Sequence, residues 1–356
     1  MKNISSEIDA IRKDWGNKLL ILGHHYQRSS VLKHADELGD SLELARKATA
    51  HPEAERIIFC GVHFMAESAD ILTGPDQAVY MPEPSAGCPM ADMADMESVS
   101  KIWEQLNSVS NDWLPVVYVN SSAELKAWCG RNGGSTCTSS NAKSVVKWIF
   151  SQNKRAFFLP DEHLGRNTAH DLGLSDEEML VCDPRSENFR SPAVAKAMAG
   201  RQVSALSPQS LVKTRLVAWK GFCIVHLAFN AEHVRKVREN LPDAKIVVHP
   251  EVPREVVQMV DAHGSTSQII KYVESAPDNS TIVIGTELNL IQRLAEEHKD
   301  RLSIKTLSPS VCANMSKTNE ANLLDLLTNW PDQNKINVAA AMAGDARKAL
   351  SRMLEL

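Results

Sequence analysis

Short apolar runs of strand length alternate along this chain with longer segments of helical periodicity. Three of these runs, at residues 18–23, 115–117 and 245–248, end in polar residues and are followed by a hydroxyl-bearing helix start. A second helix-flanked run follows each of them, and a third run comes at residues 78–81, 179–182 and 302–307. This alternation is typical of βαβ units with parallel sheets. The pattern predicts an α/β fold of three pseudo-threefold-related βαβαβ repeats, each a three-layer α/β/α domain, around a central active site.

The repeats are predicted to occupy residues 1–110, 111–243 and 244–356, and the last of them includes a C-terminal helix. The middle repeat is longer than the first. Its extra residues are assigned to an insertion near 185–220, which is rich in Ser, Ala and Arg. This insertion is predicted to have no strand of its own.

Each repeat has one cysteine that comes after its third apolar run. Cys88 follows Ser41 by 47 residues, Cys312 follows Thr266 by 46, and Cys223 follows Ser139 by 84 because of the insertion. Equivalent positions of three repeats meet at their common axis, so the three thiols are predicted to face one another. Three soft ligands suit zinc or an iron–sulfur cluster. A site with only three protein ligands also leaves a position open for substrate.

The chain has seven cysteines, an odd number that argues against a closed disulfide framework. Cys60 and Cys182 lie in apolar runs and are predicted to be core residues. Cys129 and Cys137 flank a Gly-rich loop, and a reversible disulfide between them is a hypothesis.

Polar side chains that follow the first strand of each repeat are predicted to share one pocket. Residues i and i+2 of a strand point to the same face, and ligands of parallel sheets bind beyond the carboxyl ends of the strands. The pairs that share a face are His24 with Tyr26, Tyr118 with Asn120, and His249 with Glu251. The intervening His25, Val119 and Pro250 point to the opposite face.

The helix starts add a site for anions. Asp40 followed by Glu43 predicts a capping box, and Thr138, Ser139 and Ser265 are predicted N-caps. Helix N-termini bind carboxylates and phosphates, so three of them around one cavity favour a substrate with several negative groups. The chain has no P-loop and no dinucleotide-binding glycine motif, so a nucleotide cofactor is not expected.

The amino-acid composition argues against some classes of binding partner. The 356 residues carry 39 Lys and Arg against 44 Asp and Glu, a net charge of −5 that argues against a nucleic-acid partner. The first twenty residues have no apolar core for a signal peptide, and no segment reaches the roughly 20 apolar residues of a membrane helix. We therefore expect a cytoplasmic protein with no membrane partner.

Nine motifs, in the same order along the chain, strongly resemble those of the quinolinate synthase family. They are ILGHHYQ (21–27), GDSLELAR (39–46), GCPMAD (87–92), VYVNS (117–121), TSSNA (138–142), PDEHLGRN (160–167), GFCIVH (221–226), VHPE (248–251) and GSTSQ (264–268). The resemblance extends to residues 352–355 and covers nearly the whole chain. It implies a [4Fe–4S] cluster held by Cys88, Cys223 and Cys312, with one iron left open as a Lewis acid.

The resemblance also implies a reaction, in which iminoaspartate (iminosuccinate) condenses with dihydroxyacetone phosphate to give quinolinate for NAD biosynthesis, releasing phosphate and water. It further implies an L-aspartate oxidase as the partner that hands over iminoaspartate. The predicted substrate-binding residues are His24, Ser41, Tyr118, Val119, Asn120, Ser139, His226, His249, Pro250, Glu251 and Thr266. The predicted catalytic residues are Glu251, His24, Tyr26, Tyr118 and His249.

Among these residues Glu251 is the candidate general base, with a pKa that burial is expected to raise toward neutrality. The two histidines and two tyrosines are candidates for donating protons. Some relatives carry a C-x-x-C-x-x-C run at the last ligand, but here Cys312 stands alone. Two alternatives stay open: an iron–sulfur hydro-lyase acting on another small polyacid, and a redox-sensing iron–sulfur protein. The polar pocket disfavours the sensor.

Overall fold

The fold is described by a computed structural model, which covers residues 3–192 and 213–356. Its first sheet contains four parallel strands in the order β2-β1-β3-β4. The strands are β1 (Leu19–His24), β2 (Glu37–Gly39), β3 (Arg56–Cys60) and β4 (Ala78–Tyr80). The helices of this region are α1 (Ile4–Trp15), α2 (Ser29–Leu32), α3 (Ser41–Ala50), α4 (His63–Leu72) and α5 (Met96–Val109). Every residue of β1 is buried, because apolar residues fill both faces of the strand.

The second sheet contains six strands in the order β6-β5-β7-β10-β8-β9. They are β5 (Trp113–Tyr118), β6 (Ser135–Cys137), β7 (Arg155–Leu159), β8 (Met179–Asp183), β9 (Asn188–Arg190) and β10 (Leu216–Trp219). The pairings of this sheet are parallel except that between β8 and β9. Its helices are α6 (Ala123–Arg131), α7 (Ala142–Ser151) and α8 (Glu162–Asp171).

The third sheet repeats the four-stranded parallel order of the first, as β12-β11-β13-β14. Its strands are β11 (Lys245–Val248), β12 (Ala262–His263), β13 (Thr281–Gly285) and β14 (Ser303–Thr306). The accompanying helices are α9 (Ile224–Leu227), α10 (Ala231–Asn240), α11 (Arg254–Val257), α12 (Thr266–Glu274) and α13 (Leu288–Glu297). The predicted fold class, three α/β repeats with parallel sheets, is confirmed.

One part of the repeat prediction is wrong. Residues 185–220 were expected to lack a strand, but they contain β9 and β10. β10 lies beside β7 and takes the place that β4 and β14 take in the other sheets, so β8 is not the equivalent third strand. The physical reason is the run LVAW, whose four side chains are fully buried between β7 and β8. Residues 193–212 of the predicted insertion lie outside the described residues.

The last two helices, α14 (Glu320–Asn329) and α15 (Ala340–Glu355), return to the earlier repeats. α14 packs Leu323, Leu326 and Leu327 into the apolar cluster that includes Ile8 of α1 and Ile21 of β1. α15 packs along α6 and β6 of the second repeat. The end of the chain therefore ties repeats together, while the predicted domain boundaries stay a prediction. Across 3–192 and 213–356, none of the helices combines the length and the apolar character that crossing a bilayer requires.

Replacing Gly130 by alanine is expected to destabilise the fold. A Cβ at this position of α6 would overlap the backbone carbonyl oxygen of Asp345 in α15. Because backbone cannot move aside as a side-chain tip can, we expect Gly130→Ala to lower the free energy of unfolding by about 1–3 kcal/mol. Urea unfolding followed by circular dichroism measures the loss.

Gly344→Ala is the matched control, because a Cβ at this position of α15 meets no atom within 4 Å. It is expected to stabilise the helix by roughly 0.5–1 kcal/mol. Equal unfolding midpoints for Gly130→Ala and the unchanged protein would contradict the close packing of α6 on α15.

Candidate active site

A cavity lies where the carboxyl ends of the three sheets meet. It encloses about 760 Å³ of space free of protein atoms, part of which opens to solvent. The six strand-end residues predicted to share a pocket all line it: His24, Tyr26, Tyr118, Asn120, His249 and Glu251. Their approach follows from topology, because β1, β5 and β11 are equivalent strands of their sheets and each ends at this cavity.

The hydroxyl residues that precede or begin three helices also line the cavity: Ser41, Thr138, Ser139 and Thr266. Ser41 and Thr266 are the first residues of α3 and α12, and both helices are capped by a capping box. The caps bond the N–H groups of Leu42, Glu43 and Gln268, and the positive ends of the two helix dipoles lie on this side of the cavity.

Thr138 and Ser139 are not helix N-caps, contrary to prediction. α7 begins later, and its N-cap is Asn141. The carboxamide Oδ1 of Asn141 instead accepts a hydrogen bond from the backbone N–H of Thr138 at 2.9 Å. This turn holds residues 138–141 outside the helix, and it leaves the Ser139 hydroxyl 3.2 Å from His249 Nε2.

Cys88, Cys223 and Cys312 line the same cavity. They lie in the loops after β4, β10 and β14, the three equivalent strands, so one thiol comes from each repeat. Burial raises the pKa of the Cys88 thiol to about 12 and that of Cys223 well above its usual range. A positively charged group bound among the three thiols would reverse this shift, as metals do for their thiolate ligands.

The remaining four cysteines lie away from this group. Cys60 and Cys182 are fully buried in β3 and β8, as expected of core residues. Cys129 and Cys137 are buried free thiols, so the structure does not contain the hypothesised disulfide.

The three cavity thiols fit a cluster better than a single ion. Two thiolates on one zinc ion lie at most about 4.6 Å apart, since each Zn–S bond is near 2.3 Å. Within the described ranges, the one group of three side chains tight enough to share an ion is Cys223, His226 and Glu251, whose ligand atoms lie within 4.8 Å of one another. Cys88 and Cys312 are outside it. Iron–sulfur clusters are held by cysteine thiolates, so three thiols that line one cavity fit such a group.

Glu251 is 2 % exposed and faces two imidazoles. Its Oε2 lies 2.5 Å from His226 Nδ1 and 3.7 Å from His249 Nδ1, and the two rings stack at 4.2 Å. Burial alone would raise the pKa of Glu251, but both imidazoles, together with hydrogen bonds to His226 and Tyr118, lower it to about 2. The expected shift toward neutrality is therefore wrong: the sequence placed His249 on the same face as Glu251, but it did not show that His226 and Tyr118 form hydrogen bonds to the carboxylate.

Two imidazoles and two phenols of the cavity are uncharged at neutral pH. Burial lowers the pKa of His24 to about 3, and neighbouring His25 and His249 add to the shift. Burial followed by nearby His226 likewise lowers the pKa of His249 to about 3. The phenols of Tyr26 and Tyr118 have pKa values above the usual range, again mainly because they are buried. Beside the carboxylates of Glu251 and Asp40 and the imidazole of His226, the cavity therefore offers two neutral imidazoles and two phenolic O–H groups.

Two predicted substrate-binding residues do not reach the cavity. Val119 is buried in the same large apolar cluster as Ala123. Pro250 faces a different cleft, and its carbonyl oxygen accepts a hydrogen bond from Asn167 Nδ2 at 2.8 Å. The remaining predicted residues, including Ser41, Ser139, His226 and Thr266, line the cavity together. Their functional roles stay predictions.

Sequence reasoning missed the bridging role of Asp40. Its Oδ1 accepts the backbone N–H groups of Leu42 and Glu43, which caps α3. Its Oδ2 accepts the hydroxyls of Ser140 at 2.6 Å and Ser267 at 2.8 Å. One carboxylate of the first repeat therefore joins the second and third repeats at the wall of the cavity.

Thr286 was also missed. It follows β13, is fully buried, and places its hydroxyl 2.8 Å from the Tyr26 hydroxyl. Polar residues after the second strand of a repeat would have been the signal, since that strand ends at the same edge as the first.

The sequence of this chain matches a family model and several proteins that carry a name. The family model described as "Quinolinate synthetase A protein" matches residues 6–355. The chain is 45% identical over 362 residues to a quinolinate synthase of Geobacillus sp. (strain WCH70), covering all of this chain and 94% of that protein. It is 44% identical to that of Bacillus subtilis, with the same coverage. A quinolinate synthase of Corynebacterium glutamicum is 45% identical over 96% of this chain and 84% of its own length.

Replacing Asp40 by alanine is expected to weaken the contact between repeats. An N-cap is worth about 1 kcal/mol, and hydrogen bonds to a charged group contribute roughly 1.5–3 kcal/mol. Asp40→Ala should therefore lower the free energy of unfolding by more than an ordinary cap replacement does. Denaturant unfolding measures the loss.

Asp95→Ala is the control, because the exposed Asp95 caps α5 by accepting the Ser98 N–H at 2.8 Å. It should lose only the contribution of the cap. Equal losses in the two variants would show that the bonds of Asp40 to Ser140 and Ser267 do not stabilise the fold.

Proposed function

The chain belongs to the quinolinate synthase family, and we propose that this enzyme condenses iminoaspartate (iminosuccinate) with dihydroxyacetone phosphate to quinolinate, releasing phosphate and water. The observation that carries the proposal is the single cavity in which three thiols, one from each repeat, face hydroxyls at helix starts and a buried carboxylate. An L-aspartate oxidase as the supplier of iminoaspartate is part of the same proposal.

Both substrates are anions, and the cavity has the groups to hold them. Hydroxyls of Ser41, Ser139 and Thr266 can donate to carboxylate or phosphate oxygens, and the positive dipole ends of α3 and α12 add to the attraction. Neither Lys nor Arg occurs among the described lining residues. Hydroxyls and helix ends, rather than ion pairs, therefore orient the substrate anions. This orientation fixes the reacting atoms before the chemical step.

We assign Cys88, Cys223 and Cys312 as the ligands of a [4Fe–4S] cluster. When bound, such a cluster supplies one iron without a protein ligand, a Lewis acid for substrate oxygen or nitrogen atoms. The thiol set supports this assignment, because the three cysteines line the cavity that also contains the anion-binding hydroxyls.

Glu251 is the proposed general base. The lowered pKa keeps it ionised at neutral pH, and the hydrogen bond of Oε2 with His226 fixes its orientation. The raised pKa values of Tyr26 and Tyr118 keep their O–H groups available to the departing phosphate or hydroxyl. His24 and His249, being neutral, are proposed to orient substrate through ring nitrogens.

The test of the activity is anaerobic reconstitution with iron and sulfide, followed by incubation with iminoaspartate and dihydroxyacetone phosphate. We expect quinolinate by chromatography and an equal amount of released phosphate. Dehydration of a small polyacid without phosphate release would instead identify a hydro-lyase.

Replacing Cys223 by serine is expected to abolish the visible absorption of the reconstituted protein, because an alcohol does not replace a thiolate as an iron ligand. Iron and sulfide analysis measures the loss alongside the spectrum. Cys60→Ala is the control, since Cys60 is buried in β3 away from the cavity. Wild-type absorption in Cys223→Ser would refute the ligand assignment.

Replacing Glu251 by glutamine should leave the cluster absorption unchanged and lower kcat by about 10²–10⁴, the usual contribution of a general base. The amide keeps the shape of the side chain but cannot take up a proton. Steady-state quinolinate formation measures kcat. Full activity of the Glu251→Gln enzyme would show that another residue is the general base.

A further inference from the structure

The three cavity cysteines lie in turns of the same kind, within stretches that we call the cysteine segments: residues 81–95, 219–228 and 307–319. The carbonyl oxygen of each cysteine accepts a backbone N–H from three or four residues further on, at 2.9–3.0 Å: Ala91 for Cys88, Leu227 for Cys223 and Ser316 for Cys312. The segments lie partly at the surface, and they include Ile224, Leu227 and Val311, three of the five large apolar side chains that are exposed in the described residues. Because an exposed turn has fewer core contacts than a strand, its thiol depends on other contacts to stay in place.

Side chains of the third cysteine segment bond to the backbone of the other two. The Ser310 hydroxyl donates to the Val225 carbonyl oxygen of the second segment at 2.8 Å. The Lys317 ammonium donates to the Ser85 carbonyl oxygen of the first segment at 2.6 Å. The third repeat is therefore tied to both earlier repeats beside its cavity cysteine.

The second cysteine segment is bonded to the first. The indole N–H of Trp219 donates to the Met93 carbonyl oxygen at 2.7 Å, and the backbone N–H of Phe222 donates to the Met93 sulfur at 3.4 Å. Each pair of segments is thus joined directly. Together these bonds form a closed ring through all three repeats, which we call the segment ring.

The bonds of the segment ring lie close to the thiols along the chain. Ser310 stands two residues before Cys312, and Val225 stands two residues after Cys223. The other bonded residues stand within five residues of a cavity cysteine. A chain spans at most about 3.3–3.6 Å per residue. A bond two residues from a cysteine therefore leaves its thiol little freedom relative to the next repeat.

Ser310 allows one bond of the ring to be removed on its own. Its backbone carbonyl oxygen accepts the N–H of Leu288 at 2.8 Å, and the N–H of Cys312 donates to the Glu287 carboxylate at 3.3 Å. Both of these contacts stay within the third repeat and do not use the Ser310 hydroxyl. Loss of the hydroxyl therefore removes the contact between repeats and leaves the local fold of the segment in place.

We propose that the segment ring presets the spacing of the three cavity thiols, with Ser310 and Lys317 as positioning residues for the cluster. The inference rests on the ligand assignment made with the proposed function. Turns that moved independently would have to be ordered when a cluster binds, and this ordering costs free energy. The ring makes the ordering part of folding, so the folded protein holds the cluster more tightly.

The test measures how fast the protein loses its cluster. The full-length protein is reconstituted anaerobically with iron and sulfide and mixed with excess EDTA, and visible absorption and bound iron are followed with time. Ser310→Ala and Lys317→Met each remove one bond of the ring, and we expect about 3–10-fold faster loss in each. The combined variant frees the third segment from both others, so we expect about 10–100-fold faster loss.

Three further variants separate the ring bonds from other effects. Ser310→Thr keeps the hydroxyl and should restore wild-type retention. Ser308→Ala is the control for a serine hydroxyl, because Ser308 bonds through its carbonyl oxygen, which accepts the Thr306 hydroxyl at 2.8 Å. Lys305→Met is the control for a lost lysine charge, because Lys305 is an exposed residue of β14 that precedes the segment. Both controls should lose the cluster at the wild-type rate.

Wild-type retention in the combined variant would overturn the segment ring. So would equally fast loss in the two controls, or fast loss that Ser310→Thr does not restore. A lower urea midpoint of the cluster-free variants without faster cluster loss would show that the bonds only stabilise the fold, and it would also overturn the inference.

The measurements separate this inference from the proposed function. A wild-type protein that takes up no cluster would overturn the ligand assignment and the ring with it. Cluster retention does not depend on quinolinate formation. A protein that holds its cluster through the ring but acts on another polyacid would therefore overturn the proposed function alone.

Discussion

The carboxylate of Asp40 is bound by all three repeats at once. One oxygen caps α3 of the first repeat, and the other accepts hydroxyls from Ser140 and Ser267 of the second and third. Each of these serines directly follows a hydroxyl residue of the cavity wall. The carboxylate therefore fixes the distances between the three proposed anion-binding positions, and the proposal that one substrate bridges them depends on this junction.

Burial decides the chemical state of the cavity wall. Charged groups lose hydration there, so imidazoles lie in their neutral form and phenols keep their hydrogens, as the pKa shifts of His24 and Tyr118 indicate. Glu251 is the exception because two imidazoles and a phenol stabilise its charge, which outweighs burial. The cavity thereby combines the ionised Glu251 with neutral imidazoles and phenols in a region without lysine or arginine among its described lining residues.

The sequence predicted what depends on local pattern. Apolar runs located the first strands, and the two-residue period of a strand placed His24 and Tyr26, or His249 and Glu251, on one face toward a shared cavity. Features that depend on contacts between distant parts of the chain could not be predicted. β10 is only four residues long within a polar segment, and Thr138 lies in a turn that Asn141 closes. The expected pKa of Glu251 was wrong because burial was considered without the neighbouring imidazoles, and the hydrogen bond from His226 comes from 25 residues away in the sequence.

The correction at β10 strengthens the repeat argument. Once β10 replaces β8 as the partner of β4 and β14, each cavity cysteine follows the equivalent strand of its repeat. The symmetry of the repeats thus explains why the three thiols line one cavity. The residues that follow the second strand of each repeat show how the repeats diverged. Pro160 and then Asp161 follow β7, whereas Thr286 and then Glu287 follow β13. Asp161 and Glu287 both cap the next helix, so in the second repeat Pro160 takes the position of the buried Thr286 hydroxyl. Equivalent positions after the second strand therefore differ in chemistry, and this asymmetry fits the separate roles proposed for Glu251 and Tyr26.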